Sequence, residues 1–295
     1  MVKVNEPNFM CIGAAKSATT SLFDILKQHP LISVSSFKEP HFFDIPSVYE
    51  NGLEWYEKTY FSGIKEEKWI GDFTPTYLFD SDAPKRILDT LGKDVIFIVI
   101  LRNPVDRAYS HYLHSKRDEH ETLSFFDALK NEENRADKKD YLSYLRMSYI
   151  AQGMYHKMLN RYFRFFSKEN FLILNFEEEF VAQRERTMSK IHNFLSLKKE
   201  DIIFNLSSNK ASKARFIWLK RIMKKTGWWR VVIKSFIPSL KIRQIIKNRI
   251  QMANISTFSP PKLSKKEKQH IYNSYFKEDV QQLEKLLSMQ MNWDK

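Results

Sequence analysis

Residues 13–21 read Gly-Ala-Ala-Lys-Ser-Ala-Thr-Thr-Ser. They stand between an apolar run at 9–13 and a helical pattern that puts Leu22, Ile25 and Leu26 on one face. A strand, a tight turn and a helix N-terminus make an anion site, because backbone N–H groups point outward and the helix dipole adds positive charge. Thr19, Thr20 and Ser21 can cap that helix and offer hydroxyls to phosphate oxygens. Lys16 sits in mid-turn. In a Walker A loop, GxxxxGK[ST], the lysine directly precedes the hydroxyl that holds Mg²⁺. Here Lys16 lies four residues before Thr20, and Ala18 replaces the second glycine. The turn is therefore expected to hold phosphate through Lys16, Ser17, Ala18, Thr19, Thr20 and Ser21 without being an ordinary ATPase loop. The plain alternative is a solvated lysine beside helix-capping hydroxyls.

Two more groups suit the same chemistry. Glu39 lies in Lys-Glu-Pro-His-Phe-Phe at 38–43, just beyond a second apolar run at 31–35. A carboxylate there can take a proton as general base, or simply be a surface group beside Pro40. His41 is the alternative base, since its ordinary pKa is near neutrality; otherwise it packs with Phe42 and Phe43. Lys38 can hold an anion or stand solvated. Arg102 follows the run Asp-Val-Ile-Phe-Ile-Val-Ile-Leu at 94–101. A planar guanidinium fork grips phosphate with two hydrogen bonds. Its alternative is a structural salt bridge, the role expected of Arg107. Trp218, Trp228 and Trp229 can stack on sugar rings or serve core and membrane-facing roles.

These groups need elements to position them. Runs at 9–13, 31–35, 68–73, 94–101 and 170–176 read as buried parallel strands, and helical patterns at 21–27, 106–117 and 150–166 lie between them. The alternation predicts an α/β fold: a P-loop-type parallel β-sheet of about five strands with helices on both faces. In such a sheet ligands bind at the carboxyl ends of the strands, where Arg102 and the 13–21 turn fall. A final amphipathic helix is expected at 264–287, opened by Ser264 with Glu267 three residues on.

Together these blocks resemble the family of sulfotransferases that use 3′-phosphoadenosine 5′-phosphosulfate (PAPS), especially its bacterial and heparan-sulfate-type carbohydrate branch. Residues 13–22 look like the loop that binds the 5′-phosphosulfate. Residues 38–43 resemble the block carrying the catalytic carboxylate. Gly-Asp-Phe-Thr-Pro-Thr-Tyr at 71–77 resembles the third-strand block, and residues 101–112 are similar to the 3′-phosphate block. The end of the chain, 263–293, looks like the family's C-terminal helix and terminal Trp.

The resemblance implies one sulfotransferase domain over 1–295 that passes a sulfuryl group from PAPS to a hydroxyl or amine of a carbohydrate or glycolipid, leaving 3′,5′-bisphosphoadenosine. It implies Glu39 as base, Lys16 on the leaving phosphate, and Arg102 with Ser110 on the 3′-phosphate. Lys210, Lys213 and Arg215 fall where the family places a basic loop over the nucleotide. Transfer is expected to be in line through a loose transition state, by analogy with phosphoryl transfer. A sulfuryl group carries less charge than a phosphoryl group, so no metal is expected to be required. Heparan-type relatives often carry Lys where this chain has Phe73, which argues against simply assigning a heparan-like acceptor. Two rival classes remain: a P-loop nucleotide kinase or NTPase, for which Lys16 is out of place, and a non-enzymatic binder of acidic polymers or RNA. No RNA-binding signature is present, so no nucleic-acid partner is expected.

Charge is regional. Residues 202–266 hold 16 Lys or Arg and no acid, while the rest of the chain has 32 basic against 35 acidic residues. An anionic partner is implied near that segment, which reads as a lid-like amphipathic piece. Cys11 is the sole cysteine, which rules out an intrachain disulfide and suits a reducing cytoplasm. No apolar run reaches 18 residues, so neither a signal peptide nor a spanning helix is expected. The expected location is cytoplasmic, with peripheral association at the inner face of an anionic membrane, or with an acidic polysaccharide. Reversing Lys220, Lys224, Lys225 and Lys234 to Glu is expected to reduce salt-sensitive co-sedimentation with anionic vesicles or acidic polysaccharide, because each cation near an anionic surface adds about 1 kcal/mol. A wild-type protein that ignores both partners at low salt would leave the segment a structural one.

Overall fold

The computed structural model describes residues 6–64, 67–135, 140–198, 212–214, 255–257 and 261–294. Most of the lid-like segment at 202–266 lies outside the described residues, as do Lys210, Arg215, Trp218, Trp228 and Trp229.

Five strands form one parallel sheet: β1 (Phe9–Gly13), β2 (Ile32–Val34), β3 (Trp69–Asp72), β4 (Ile96–Leu101) and β5 (Phe171–Asn175). Their order is β2-β3-β1-β4-β5. The sheet and its position for each strand agree with the apolar runs of the sequence. The reason is visible in β4, where five of six residues are buried: a strand covered on both faces needs apolar side chains at every position.

Alternation along the strands divides the core. Met10, Ile12, Phe97, Val99 and Leu101 face one layer. Phe9, Cys11, Ile98 and Ile100 face the other, where α1 (Thr19–Leu26) and α10 (Arg184–Phe194) pack through Leu22, Ile25, Leu26, Met188 and Ile191. The first layer is covered by α4 (Ala83–Leu91), α5 (Pro104–Arg117), α9 (Tyr155–Tyr162), α11 (Lys265–Ile271) and α12 (Lys277–Leu287), through Ile87, Val105, Ala108, Leu159, Ile271 and Leu283. Shorter helices complete the order: α2 (Pro46–Tyr49), α3 (Leu53–Tyr60), α6 (Phe125–Lys130), α7 (Glu132–Arg135) and α8 (Tyr141–Met147). A separate antiparallel pair, β6 (Ser212–Ala214) and β7 (Ile255–Thr257), brings the backbone of Lys213 beside α5.

The helix expected over 150–166 is shorter. A 3₁₀ turn occupies Ala151–Gly153, and Met154, at ψ 69°, breaks the spiral before α9. Gly153 explains the break: a Cβ there would lie 2.7 Å from the Phe276 ring and 3.2 Å from Pro104, so backbone is pressed against the start of α5. The C-terminal helix starts with the capping box foreseen at Ser264 and Glu267; a π-helical turn at Tyr272–Phe276 separates α11 from α12. Among the described residues no helix is long and apolar enough to cross a membrane.

Because the strands are parallel, β1, β2, β3, β4 and β5 all end at one edge. β1 and β4 are neighbours whose following connections lead to opposite sides of the sheet, the usual site of a ligand crevice. The spacing inside the sheet is tight. Gly71 of β3 pairs with Phe9 of β1, and a Cβ on Gly71 would fall 2.4 Å from a Phe9 ring carbon. Phe9 is held edge-on by Trp69 and Phe73 and is fully buried. Gly71→Ala is therefore expected to cost roughly 1–3 kcal/mol by overpacking, measured as a fall in Tm of several degrees by calorimetry.

Candidate active site

The first loop leaves β1 at Gly13 and reaches α1 through two left-handed residues, Lys16 (φ 71°) and Ala18 (φ 62°). Ala18 is the N-cap of α1, and no side chain caps the helix. The capping expected of Thr19, Thr20 and Ser21 is thus corrected. A left-handed turn into the helix puts all three hydroxyl residues inside its first turn, past the cap position, and Thr19 is buried. The leading N–H groups of α1 receive no side-chain acceptor, which suits an anion there. Ser17 is fully buried, and its Oγ has no hydrogen-bond partner.

Beyond β2, Glu39 (φ 63°) and His41 (φ 55°) are also left-handed. Four of the eight non-glycine residues with positive φ among the described residues lie in these two loops, so backbone strain collects here, as it does at functional sites. Glu39 accepts from Lys38 Nζ at 2.5 Å and lies 3.7 Å from His41 Nε2. Lys38 is thereby paired rather than solvated. On its other side, His41 Nδ1 lies 3.0 Å from Oδ2 of the buried Asp44, which also accepts from Thr76. His41 does not simply pack with Phe42 and Phe43; those two rings pack edge to face on each other.

Asp72, at the end of β3, anchors this second loop. Fully buried, it accepts from Tyr56 (2.6 Å), Thr74 (2.7 Å) and Tyr77 (2.9 Å). Tyr77 Oη in turn accepts the Phe42 N–H at 2.9 Å. Burial pushes Asp72 up to about 6 against the pull of those hydrogen bonds. Phe73 is fully buried with its ring edge-on to Phe9 and Phe23.

Arg102 joins the strand edge to the first loop, donating from Nη1 to the Lys16 carbonyl at 2.9 Å. Its guanidinium stands 5.0 Å over the Phe176 ring, and its buried Nε has no partner. Ser110 lies on α5, partly exposed, two turns from Asn103, which caps that helix through its side chain. Arg107 departs from the expected salt bridge. It is fully buried and donates to the Tyr149 carbonyl, and it makes no ion pair among the described residues. Glu132, the nearby carboxylate, is committed to the Ile150 and Ala151 N–H groups.

The electrostatics of the crevice are those of an anion site. Lys16 is brought down to about 8, by burial first and then by Arg117, with Glu39 opposing. Burial, then Lys16 and Arg117, hold His114 down at about 4. His111 is pushed well below its ordinary range by burial, Arg107 and Lys16. Cations of α5 and the first loop crowd one another, and an incoming dianion would relieve that repulsion. An unpartnered Ser17 hydroxyl, an unpartnered Arg102 Nε and an uncapped helix start fit a phosphorylated nucleotide. Among the described residues no group of three or more His, Cys, Asp or Glu gathers to hold a metal. Sequence reasoning missed Asp44, Asp72, Tyr77 and His114. A signal existed for Asp44, three residues after His41, and for Asp72 and Tyr77 in the block at 71–77, but the Tyr77 contact with Phe42 spans 35 positions.

Comparison with known proteins agrees with this geometry. The sulfotransferase domain family matches residues 6–259. A membrane-associated sulfotransferase, kil1, of Dictyostelium discoideum is 39% identical over 134 residues, covering 43% of this chain and 28% of that protein. Heparan sulfate glucosamine 3-O-sulfotransferase 6 of Homo sapiens is 31% identical over 197 residues, covering 65% of this chain and 53% of that protein. The chain thus spans about half the length of these relatives or less. The crystal structure of a sulfotransferase from Alicyclobacillus acidocaldarius superposes with a TM-score of 0.69 at 25% identity, covering 98% of this chain and 99% of that one.

The His41–Asp44 contact yields a prediction. Burial alone would lower His41, but the hydrogen bond and charge of Asp44, with Glu39 beyond, raise it above its ordinary value. A histidine raised in the folded state adds stability below its ordinary pKa and loses it as pH rises through the folded value. In Asp44→Asn the His41 midpoint should fall by about one unit or more, read by NMR titration, and the stability gap to wild type should narrow as pH rises from 5 to 8.

Proposed function

The chain belongs to the sulfotransferase family, and from that premise we propose that it is a PAPS-dependent enzyme acting on a hydroxyl or amine of a carbohydrate or glycolipid. The observation that carries the reading is the meeting, at the carboxyl edge of one parallel sheet, of an uncapped helix start with Lys16, a strained loop with Glu39, and Arg102 tied to the Lys16 carbonyl. When bound, PAPS supplies the sulfuryl group and, in its leaving phosphate, the charge that grows during transfer.

The chain's residues divide the remaining work. The first N–H groups of α1, with the hydroxyls of Ser17, Thr19, Thr20 and Ser21, cradle the 5′ end, and Ala18 turns the backbone toward it. Lys16 neutralises charge on the leaving oxygen, a role supported by its place in the loop before α1. Arg102 and Ser110 hold the 3′-phosphate. Lys210, Lys213 and Arg215 supply further positive charge for the nucleotide. Glu39 takes the proton of the acceptor, and His41, held by Asp44, steadies that carboxylate and is the second proton acceptor within reach. Phe37, 66% exposed and two residues before Glu39, offers an aromatic surface to the apolar face of a sugar ring. The name of the human relative supports a carbohydrate acceptor. The membrane-associated relative and the basic segment support peripheral association with an anionic surface.

Glu39→Gln is expected to lower transfer of label from PAPS to extracted glycans on the order of 10²–10⁴-fold, with donor affinity near normal. Arg102→Ala should instead weaken 3′,5′-bisphosphoadenosine about tenfold or more while hardly changing a nucleotide without the 3′-phosphate. Substantial turnover by the Gln variant would move the base to His41 or water, and equal losses for both nucleotides would remove Arg102 from the 3′-phosphate.

A further inference from the structure

The peptide that follows Arg102 is gripped from three sides. Tyr155 Oη donates to the Arg102 carbonyl at 2.8 Å. The Glu177 carboxylate accepts the next N–H, that of Asn103, at 3.1 and 3.3 Å. The same carboxylate accepts Nε1–H of Trp293 at 3.2 Å, and the Trp293 carbonyl accepts from Asn103 Nδ2 at 3.2 Å. Trp293 is 6% exposed, with its ring 5.8 Å from that of Tyr155. Two further bonds tie the chain's end to the turn after β5: Asn175 Nδ2 to the Met291 carbonyl, and Asn292 Nδ2 to Glu178.

We propose that Glu177 and Trp293 form a clamp that positions Arg102 for the 3′-phosphate, so that the C-terminal segment is part of the donor site although it touches no ligand. This rests on the reading of Arg102 given above. Phe176 and Glu177 are consecutive: the ring of the first lies under the guanidinium, and the carboxylate of the second fixes the backbone one residue further along. An arginine fork binds phosphate well only when its direction is set in advance. A carboxylate suits the clamp because it accepts from two directions at once, backbone and indole, whereas an amide offers one oxygen and turns an N–H₂ group toward a donor.

The test is calorimetric titration of the full chain with 3′,5′-bisphosphoadenosine and with 5′-AMP, for wild type, Glu177→Gln, Trp293→Phe, Arg102→Ala and the Arg102→Ala/Glu177→Gln double variant. Trp293→Phe keeps an aromatic ring while it removes the Nε1–H donor and part of the indole's bulk, which covers the case in which Glu177→Gln does not fold. The clamp predicts at least a fivefold loss for the bisphosphate, little change for 5′-AMP, and no added loss in the double variant over Arg102→Ala alone. If Arg102→Ala discriminates between the two nucleotides while Glu177→Gln and Trp293→Phe bind both as wild type, or lose both equally, the clamp is overturned and the reading of Arg102 stands. If Arg102→Ala treats both nucleotides alike, that reading fails and takes the clamp with it.

Discussion

A carboxylate with no exposure to solvent holds the reactive edge together. Burying Asp72 as an anion is costly, by several kcal/mol before compensation, and three hydroxyls offset that cost. Each comes from a different place: Tyr56 from α3, Thr74 from the turn after β3, Tyr77 from the start of the next connection. Through Tyr77 the network reaches the Phe42 backbone, and Phe42 stacks on Tyr56 with ring centres 4.2 Å apart. The segment carrying Glu39 and His41 therefore hangs from β3 by hydrogen bonds and from α3 by ring packing. A surface loop with two left-handed residues would not keep that shape unaided, since each such residue costs of order 1–2 kcal/mol.

The first loop solves the opposite problem. It gathers positive charge where the second loop gathers negative. Lys16, Arg107 and Arg117 lie close enough to depress one another or the histidines between them, and His111 and His114 answer by staying neutral at physiological pH. Their neutrality limits the repulsion that the fold must carry in the absence of an anion. Glu39 is the single carboxylate of the second loop whose charge acts on Lys16 and His114 alike. Lys16 and Glu39 thus carry opposite charge at one edge of the sheet, close enough for the carboxylate to oppose the lowering of Lys16.

How much of this is written locally in the chain depends on the distance over which each contact acts. The strands were legible because burial on both faces demands unbroken apolar runs, as in Phe97 to Leu101. The anion loop was legible because strand, turn and helix are contiguous. Its cap was not: Ala18 takes the place that Thr or Ser would fill in a free helix, because the turn and not the side chain decides where α1 begins. The salt bridge expected of Arg107 failed for a similar reason. Its carboxylate neighbour, Glu132, is occupied by backbone N–H groups that only the folded 3₁₀ turn presents. Tyr77 and Glu177 act on residues 35 to 116 positions away, and no period or spacing announces such partners.

The parallel sheet explains why these distant pieces can meet. Each strand delivers its following loop to the same edge, so each can specialise. β1 and β4, adjacent at the centre of the sheet, contribute the two cationic groups, and the direct bond from Arg102 to the Lys16 carbonyl makes them one surface. β2 contributes the carboxylate. β3 contributes support: Asp72 and the buried Phe73 hold what β1 and β2 present, and Thr76 beyond them donates to Asp44. β5 supports β4 in the same way, since the turn after Asn175 braces Arg102 from below and behind. The candidate groups follow three strands and the braces two, and in the order β2-β3-β1-β4-β5 each of the three has a brace strand beside it. That placement gives each candidate loop a neighbour packed rigidly in the sheet.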